Sequence, residues 1–216
     1  MKEVYLCQKF NFLSIRLLGI VLILCAIAFG GYGQAKIDRV KIMQVYDDEI
    51  EHWLFPANSK GTPPSFLAAF MVHPFPEPAD YSVCLRDSAR KFFLELRQLD
   101  KNLWIELFTR FNQKQSLDLP LKVSVYSKSV SRRFEKEMVS AFDKMSPYKT
   151  PHESVNYDGT TYDFRWVING EMKKIHVSYG LKAESYYAGF INLMTQISDD
   201  LKNNAFKESN YIDKLK

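Results

Sequence analysis

The sequence predicts an α+β fold: an antiparallel sheet built from hairpins, with amphipathic helices packed on one face. Three observations predict it. Residues 162–179 (YDFRWVINGEMKKIHVSY) read as two alternating strands around Asn169-Gly170, the preferred dipeptide of a two-residue type I′ turn because both of its positions need positive φ. Two segments, 129–147 and 185–202, carry apolar residues at helical spacing. Strands followed by a helix recur along the chain, an order that fits a sheet with helices laid against it.

Taken in order, Ile37 to Tyr46 (IDRVKIMQVY) is rich in β-branched residues and predicts a first strand. Residues 56–78 are irregular, because six of the nine prolines fall there. Within them Phe66 to Val72 (FLAAFMV) is a short apolar run that periodicity alone leaves open between strand and helical turn. HPFPEP (73–78) reads as a stiff, extended surface loop. Tyr81 to Arg86 (YSVCLR) predicts a strand. Asp87-Ser88 then supplies cap chemistry, and Ala89, Phe92, Phe93, Leu96 and Leu99 follow at spacings of three and four, which predicts a helix. Leu103 to Asn112 alternates as a strand would and equally fits a helix. The strand reading is taken because Leu121 to Tyr126 (LKVSVY) is a suitable partner. A helix is predicted after Ser129 or Ser131, with Phe134, Met138, Ala141, Phe142 and Met145 as its stripe and Pro147 beyond its end.

In the hairpin the turn by itself pairs Ile168 with Glu171, Trp166 with Lys173, Phe164 with Ile175 and Tyr162 with Val177. The apolar residues of both strands then land on one face, an agreement between independent signals. On the other face Asp163 opposes His176, Arg165 opposes Lys174 and Val167 opposes Met172. The last helix, from about Ser185 to Lys202, carries Tyr187, Phe190, Ile191, Met194, Ile197 and Leu201. The domain is thus expected to be one α+β unit over 36–202, with the Pro-rich segment at 56–78 inside it and a polar tail, 203–216, that frays.

The first 35 residues have the order of a secretory signal peptide. A basic leader (Lys2, Lys9 and Arg16 against Glu3) precedes a 13-residue apolar run from Leu17 to Phe29, and small, turn-prone residues follow up to Ala35. A membrane-spanning helix needs about 20 residues, so a cleaved signal fits better than an anchor. Gly33 and Ala35 occupy the small-residue positions before a cut, which places the cleavage between Ala35 and Lys36. Leu24 is bulky where lipid attachment at Cys25 would need a small residue. Taking the leader's three bases and one acid from 29 and 25 leaves 26 and 24, a net charge of +2. That balance, with no run of five like charges, argues against nucleic acid. Of three cysteines Cys7 and Cys25 lie in the leader, so Cys84 has no intrachain partner after cleavage and reads as a small buried hydrophobe. The remaining 181 residues, 216 less 35, can bury roughly 70% of their unfolded surface without disulfides.

Gln34-Ala35, KIDRVKI (36–42), Tyr157-Asp158-Gly159-Thr160-Thr161-Tyr162, Trp166, Asn169-Gly170 and a C-terminal helix together resemble a loose group of small exported proteins of unknown function from Bacteroidetes-type bacteria. The resemblance is densest over 157–202. It implies an α+β domain in the periplasm or outside the cell and brings no catalytic residues.

The chemistry-bearing motifs are few. His52, His73, His152 and His176 show no metal-ligand spacing, there is no cysteine pair, and no glycine loop or Gly-x-Ser-x-Gly elbow occurs, so no metal, cofactor or nucleophile is expected. Asp163 opposite His176 is the one acid–base pair the register brings into contact. Cross-strand charge pairs are mostly surface features, and a catalytic dyad would still lack its nucleophile. The function expected is a non-enzymatic exported domain that binds a macromolecule of the cell envelope or exterior, with no stable membrane span after signal removal. The alternatives are a hydrolase acting on envelope or external polymers, and a glycan-binding module using exposed rings. Mass spectrometry of protein from the exporting cell should find an N-terminus near Lys36; intact Met1 in the membrane fraction would establish an anchor instead.

Overall fold

The computed structural model describes residues 40–55, 66–74, 78–88, 91–145, 159–177 and 186–216. The chain forms two compact units, residues 1–45 and 46–216. Of the first, residues 40–45 are described, and they are helical. The leader assigned to 1–35, with its cut at Ala35–Lys36, lies outside the described residues, as do 56–65 and 75–77 of the Pro-rich segment. No helix of the described residues is long and apolar enough to cross a membrane.

The second unit is built on a six-stranded antiparallel sheet. Its strands are β1 (Phe66–His73), β2 (Tyr81–Ser88), β3 (Lys91–Leu99), β4 (Val123–Val130), β5 (Thr161–Ile168) and β6 (Glu171–Val177), in the order β4-β3-β2-β1-β5-β6. The helices are α1 (40–54), α2 (Leu103–Asn112), α3 (Arg132–Lys144) and α4 (Tyr186–Lys202). The fold is α+β.

The hairpin of β5 and β6 has the register its turn dictates, with Phe164 on Ile175, Trp166 on Lys173 and Asp163 on His176. Asn169 and Gly170 take φ of 53° and 80°, the left-handed pair that a type I′ turn requires. Phe164, Trp166, Ile175 and Val177 are buried on one face with Ala68, Phe70 and Val72 of β1, Val83 and Leu85 of β2, and Leu94 and Leu96 of β3. Phe134, Met138, Ala141 and Phe142 of α3 and Tyr187, Phe190, Met194 and Ile197 of α4 close that core. α3 starts where its cap chemistry says: the Ser131 side chain accepts from the Phe134 N–H at 3.2 Å. Each side chain fully buried in this layer contributes about 1.5–3 kcal/mol relative to exposure.

Four expectations are corrected. Residues 40–46 are helix, not strand. Tyr46, Ile50 and Trp53 or Leu54 recur every three or four residues, and this stripe outweighs the weak strand preference of single β-branched residues. Residues 91–99 are strand β3, not helix. Phe92, Phe93, Leu96 and Leu99 fit a helical stripe, but β3 is paired along its length by β2 on one side and β4 on the other. Its alternation is blurred because Leu94 and Leu96 are buried on one face while Glu95 and Leu99 are buried on the other. Residues 103–112 are helix α2, not strand. Asn102 caps it by accepting from the Ile105 N–H at 3.0 Å, and Leu103 and Leu107, one turn apart, are its buried pair. The tail is not a frayed polar end. Tyr211, Ile212 and Leu215 join the core, and Glu208 accepts from the Ser131 backbone N–H at 2.7 Å, beside the start of α3. Its few apolar residues were hidden by a polar composition.

Residues 46–54 of α1, and α2, lie against the opposite face of the sheet from α3 and α4. The Leu54 carbonyl accepts from Ser82 Oγ at 2.6 Å, and the Leu103 N–H donates to Asp80 at 2.8 Å. Trp166 is a buried core ring, 1% exposed. Trp166→Ala is therefore expected to cost about 3–5 kcal/mol in urea unfolding; an unchanged midpoint would remove it from the core and make it a ligand-stacking ring.

Candidate functional site

Because side chains alternate along a strand, the second face of the sheet receives every other residue: Ala69, Met71 and His73 from β1, Ser82 and Cys84 from β2, Asp163 and Arg165 from β5, and Lys174 and His176 from β6. Asp80, just before β2, lies at the same end. Five of these nine strand residues are ionisable acids, bases or imidazoles. A polar layer therefore forms beneath α1 and α2, and burial forces each member to find a partner.

The partners form a continuous network. Tyr46 donates its hydroxyl proton to Asp80 Oδ1 at 2.8 Å and sits 2.6 Å from His73 Nδ1. Asp80 Oδ2 accepts from the Leu103 N–H, the first amide of α2, and Asp80 is 1% exposed. Asn102 Nδ2 donates to the carbonyls of Pro74 and Pro78 at 2.7 and 3.2 Å, fastening the end of β1 and the approach to β2. The other ring nitrogen of His73, Nε2, is 3.9 Å from Asp163 Oδ2. Asp163 Oδ1 is 2.7 Å from His176 Nδ1, and its Oδ2 is 3.1 Å from Lys174 Nζ and 3.6 Å from an Arg165 terminal nitrogen. Arg165 also pairs with Glu51 of α1 and lies over the Phe55 ring, 4.7 Å from its centroid. The Trp104 ring meets Tyr46 edge-on at 5.6 Å.

The electrostatics follow from these contacts. Burial alone would push the Asp163 carboxyl up, but hydrogen bonds from His176 and His73 and the nearby cations hold it well below the usual carboxylate range. Burial likewise pulls His73 down, and bonding to Asp163 and Asp80 outweighs it, leaving the imidazole raised above its ordinary value. Burial next to Asp80 drives the Tyr46 phenol well above its ordinary value, so it stays a donor.

Of the site residues marked out in the sequence, Asp163 and His176 meet, as the hairpin register requires. They differ from a surface pair in that Asp163 is buried, at 5% exposure, while His176 is half exposed. His52 stands apart on α1 against Trp53, and His152 lies outside the described residues. The pairing of Tyr46, His73 and Asp80 escaped sequence reasoning, because these residues are 27 and 34 positions apart. The available signal was a histidine on the inward parity of an apolar strand. Cys84 is wholly buried and unbridged, and burial pushes its thiol up to about 12, so a nucleophilic thiolate is scarce at neutral pH. Among the described residues no group of three or more His, Cys, Asp or Glu is placed to hold a metal ion.

On the outer side of the molecule a groove of about 500 Å³ runs between α3, α4 and the tail. Ala141, Phe190, Leu193 and Leu215 form its apolar floor, and Lys144, Lys214 and Lys216 line it. A depression of similar size at the ends of β3 and β4 mixes Asp87, Lys91 and Arg132 around Phe92. No protein-family model, curated protein or solved structure matches the chain.

Asp163→Asn tests the network. Asp163 has a depressed folded-state pKa, so its stabilisation is complete above its unfolded value near 4 and is lost as pH falls towards the folded value. The variant is expected to unfold about 3 kcal/mol more easily at pH 7, as removal of one partner from a buried pair does. That gap should narrow below about pH 4. A gap that stays constant with pH would mean that the carboxylate is not held ionised by its neighbours.

Proposed function

We propose that this chain is an exported, non-enzymatic domain that binds a macromolecule of the cell envelope or exterior. Export is supported by the basic, apolar and small-residue order of residues 2–35. The observation that carries the binding reading is the groove between α3, α4 and the tail. Gly189 is part of its lining, and a Cβ added there would meet nothing within 4 Å. A glycine within a helix costs roughly 0.5–1 kcal/mol relative to alanine. Its φ is not positive, so the backbone does not call for glycine; the missing side chain instead leaves the groove open. An apolar floor edged by lysines suits a protein segment that presents apolar side chains beside carboxylates. The buried ionisable groups, by contrast, are engaged with one another across α1, α2 and the sheet, where they serve the fold.

The second reading, a hydrolase acting on envelope or external polymers, has one observation in its favour. His176 is a half-exposed imidazole oriented by a buried carboxylate 2.7 Å away, the arrangement of a general base.

Envelope extracts passed over the immobilised wild-type domain and over Gly189→Leu separate these readings. A protein retained by the wild type should be lost with Gly189→Leu while the unfolding midpoint does not fall. Equal recovery on both would remove the groove as the binding surface. Polymer hydrolysis that disappears in His176→Gln would replace the binding reading with the enzymatic one.

A further inference from the structure

The hydrogen-bond inventory around His73 determines its charge. The Tyr46 hydroxyl has one proton and gives it to Asp80 Oδ1 at 2.8 Å. The 2.6 Å contact between that oxygen and His73 Nδ1 must then be donated by the ring. On the other side Nε2 faces Asp163 Oδ2 at 3.9 Å. A lone pair on Nε2 would oppose an ionised carboxylate, whereas a proton there makes an ion pair. The Nδ1 proton is fixed by its bond to Tyr46, and a second proton on Nε2 replaces a repulsion with an ion pair.

The surrounding charges lead to the same conclusion. α1 contributes Tyr46, Asp47 and Glu51, and the segment before β2 contributes Asp80. β5 contributes Asp163 and Arg165, and β6 contributes Lys174 and the half-exposed His176. α2 contributes the Leu103 N–H and the edge of Trp104. Among the described residues four carboxylates therefore face two permanent cations, Arg165 and Lys174, and a charged His73 reduces the imbalance. Its side chain is only 14% exposed, so solvent does little to screen it.

We propose that His73 is held as an imidazolium between Asp80 and Asp163, and that this proton fastens Tyr46 of α1 and the N-terminus of α2 to the second face of the sheet. When the ring loses it, Nε2 turns a lone pair to Asp163, and Asp80, whose Oδ1 lies 3.4 Å from Nδ1, faces a neutral ring in place of a cation. The layer formed by residues 46–54 and α2 then loosens while the α3–α4 core stays packed. The sign follows from the raised ring pKa: the stabilisation is complete below the unfolded histidine value near 6.5 and disappears as pH rises through the folded value.

Histidine ring NMR of the full chain, titrated between pH 5 and 9, reads the charge directly. Amide exchange rates for residues 46–54 and 103–107, corrected for the intrinsic effect of pH, read the latch. The expected result is a charged His73 at pH 6 and a loss of amide protection that shares the ring's midpoint, with β1 and β2 amides unaffected. Asp80→Asn should move both midpoints to lower pH together, and His176→Gln should leave the step in place. His73→Gln should abolish the step; if that variant does not fold, the wild type and Asp80→Asn decide. A neutral His73 at pH 6, a step that survives His73→Gln, or a step that vanishes in His176→Gln would overturn the proposal.

Discussion

Strand β5 carries Phe164 and Trp166 to one face of the sheet and Asp163 and Arg165 to the other, and all four are buried. The register of this strand is the constraint on which the remaining packing depends. A slip of one residue would drive a carboxylate and a guanidinium among Phe70 and Phe142 and would set Trp166 beside Lys174. Each misplaced ion would cost several kcal/mol, so the register is held from both sides. The Asn169-Gly170 turn sets it against β6, and the pairing of Phe70 with Phe164 and Met71 with Asp163 sets it against β1.

The two faces are held by different physics. α3 and α4 are held by apolar area that is indifferent to direction. α1 and α2 bury Ile50, Leu54, Leu103 and Leu107 too, and add directional bonds: Ser82 to the Leu54 carbonyl, Tyr46 and the Leu103 amide to Asp80, and Arg165 to Glu51. A hydrogen bond contributes about 1 kcal/mol net, less than a buried leucine or phenylalanine. The bonds to Asp80 are therefore a small share of what holds this layer, but they fix how Tyr46 and the start of α2 are oriented.

Both edges of the sheet carry lysines. Lys128 of β4 pairs with Leu94 and shares its inward side with Tyr126 and Val130, while β6 carries Lys173 and Lys174. Lysines so placed oppose the addition of another strand.

Local chemistry was enough to read some of this from the sequence. The type I′ turn and its register, the stripes of α3 and α4 and the start of α3 at Ser131 all follow from neighbours a few residues apart, and so does the contact of Asp163 with His176. The states of 40–46, 91–99 and 103–112 did not, because each carries two compatible periodicities. Pairing with β2 and β4 made 91–99 a strand, and Asp80 and Asn102 at its N-terminus made 103–112 a helix. The tail's place in the core and the meeting of Tyr46, His73 and Asp80 were likewise tertiary decisions. Burial and charge pairing between residues tens of positions apart leave no period in the chain, so only the folded sheet brings them together.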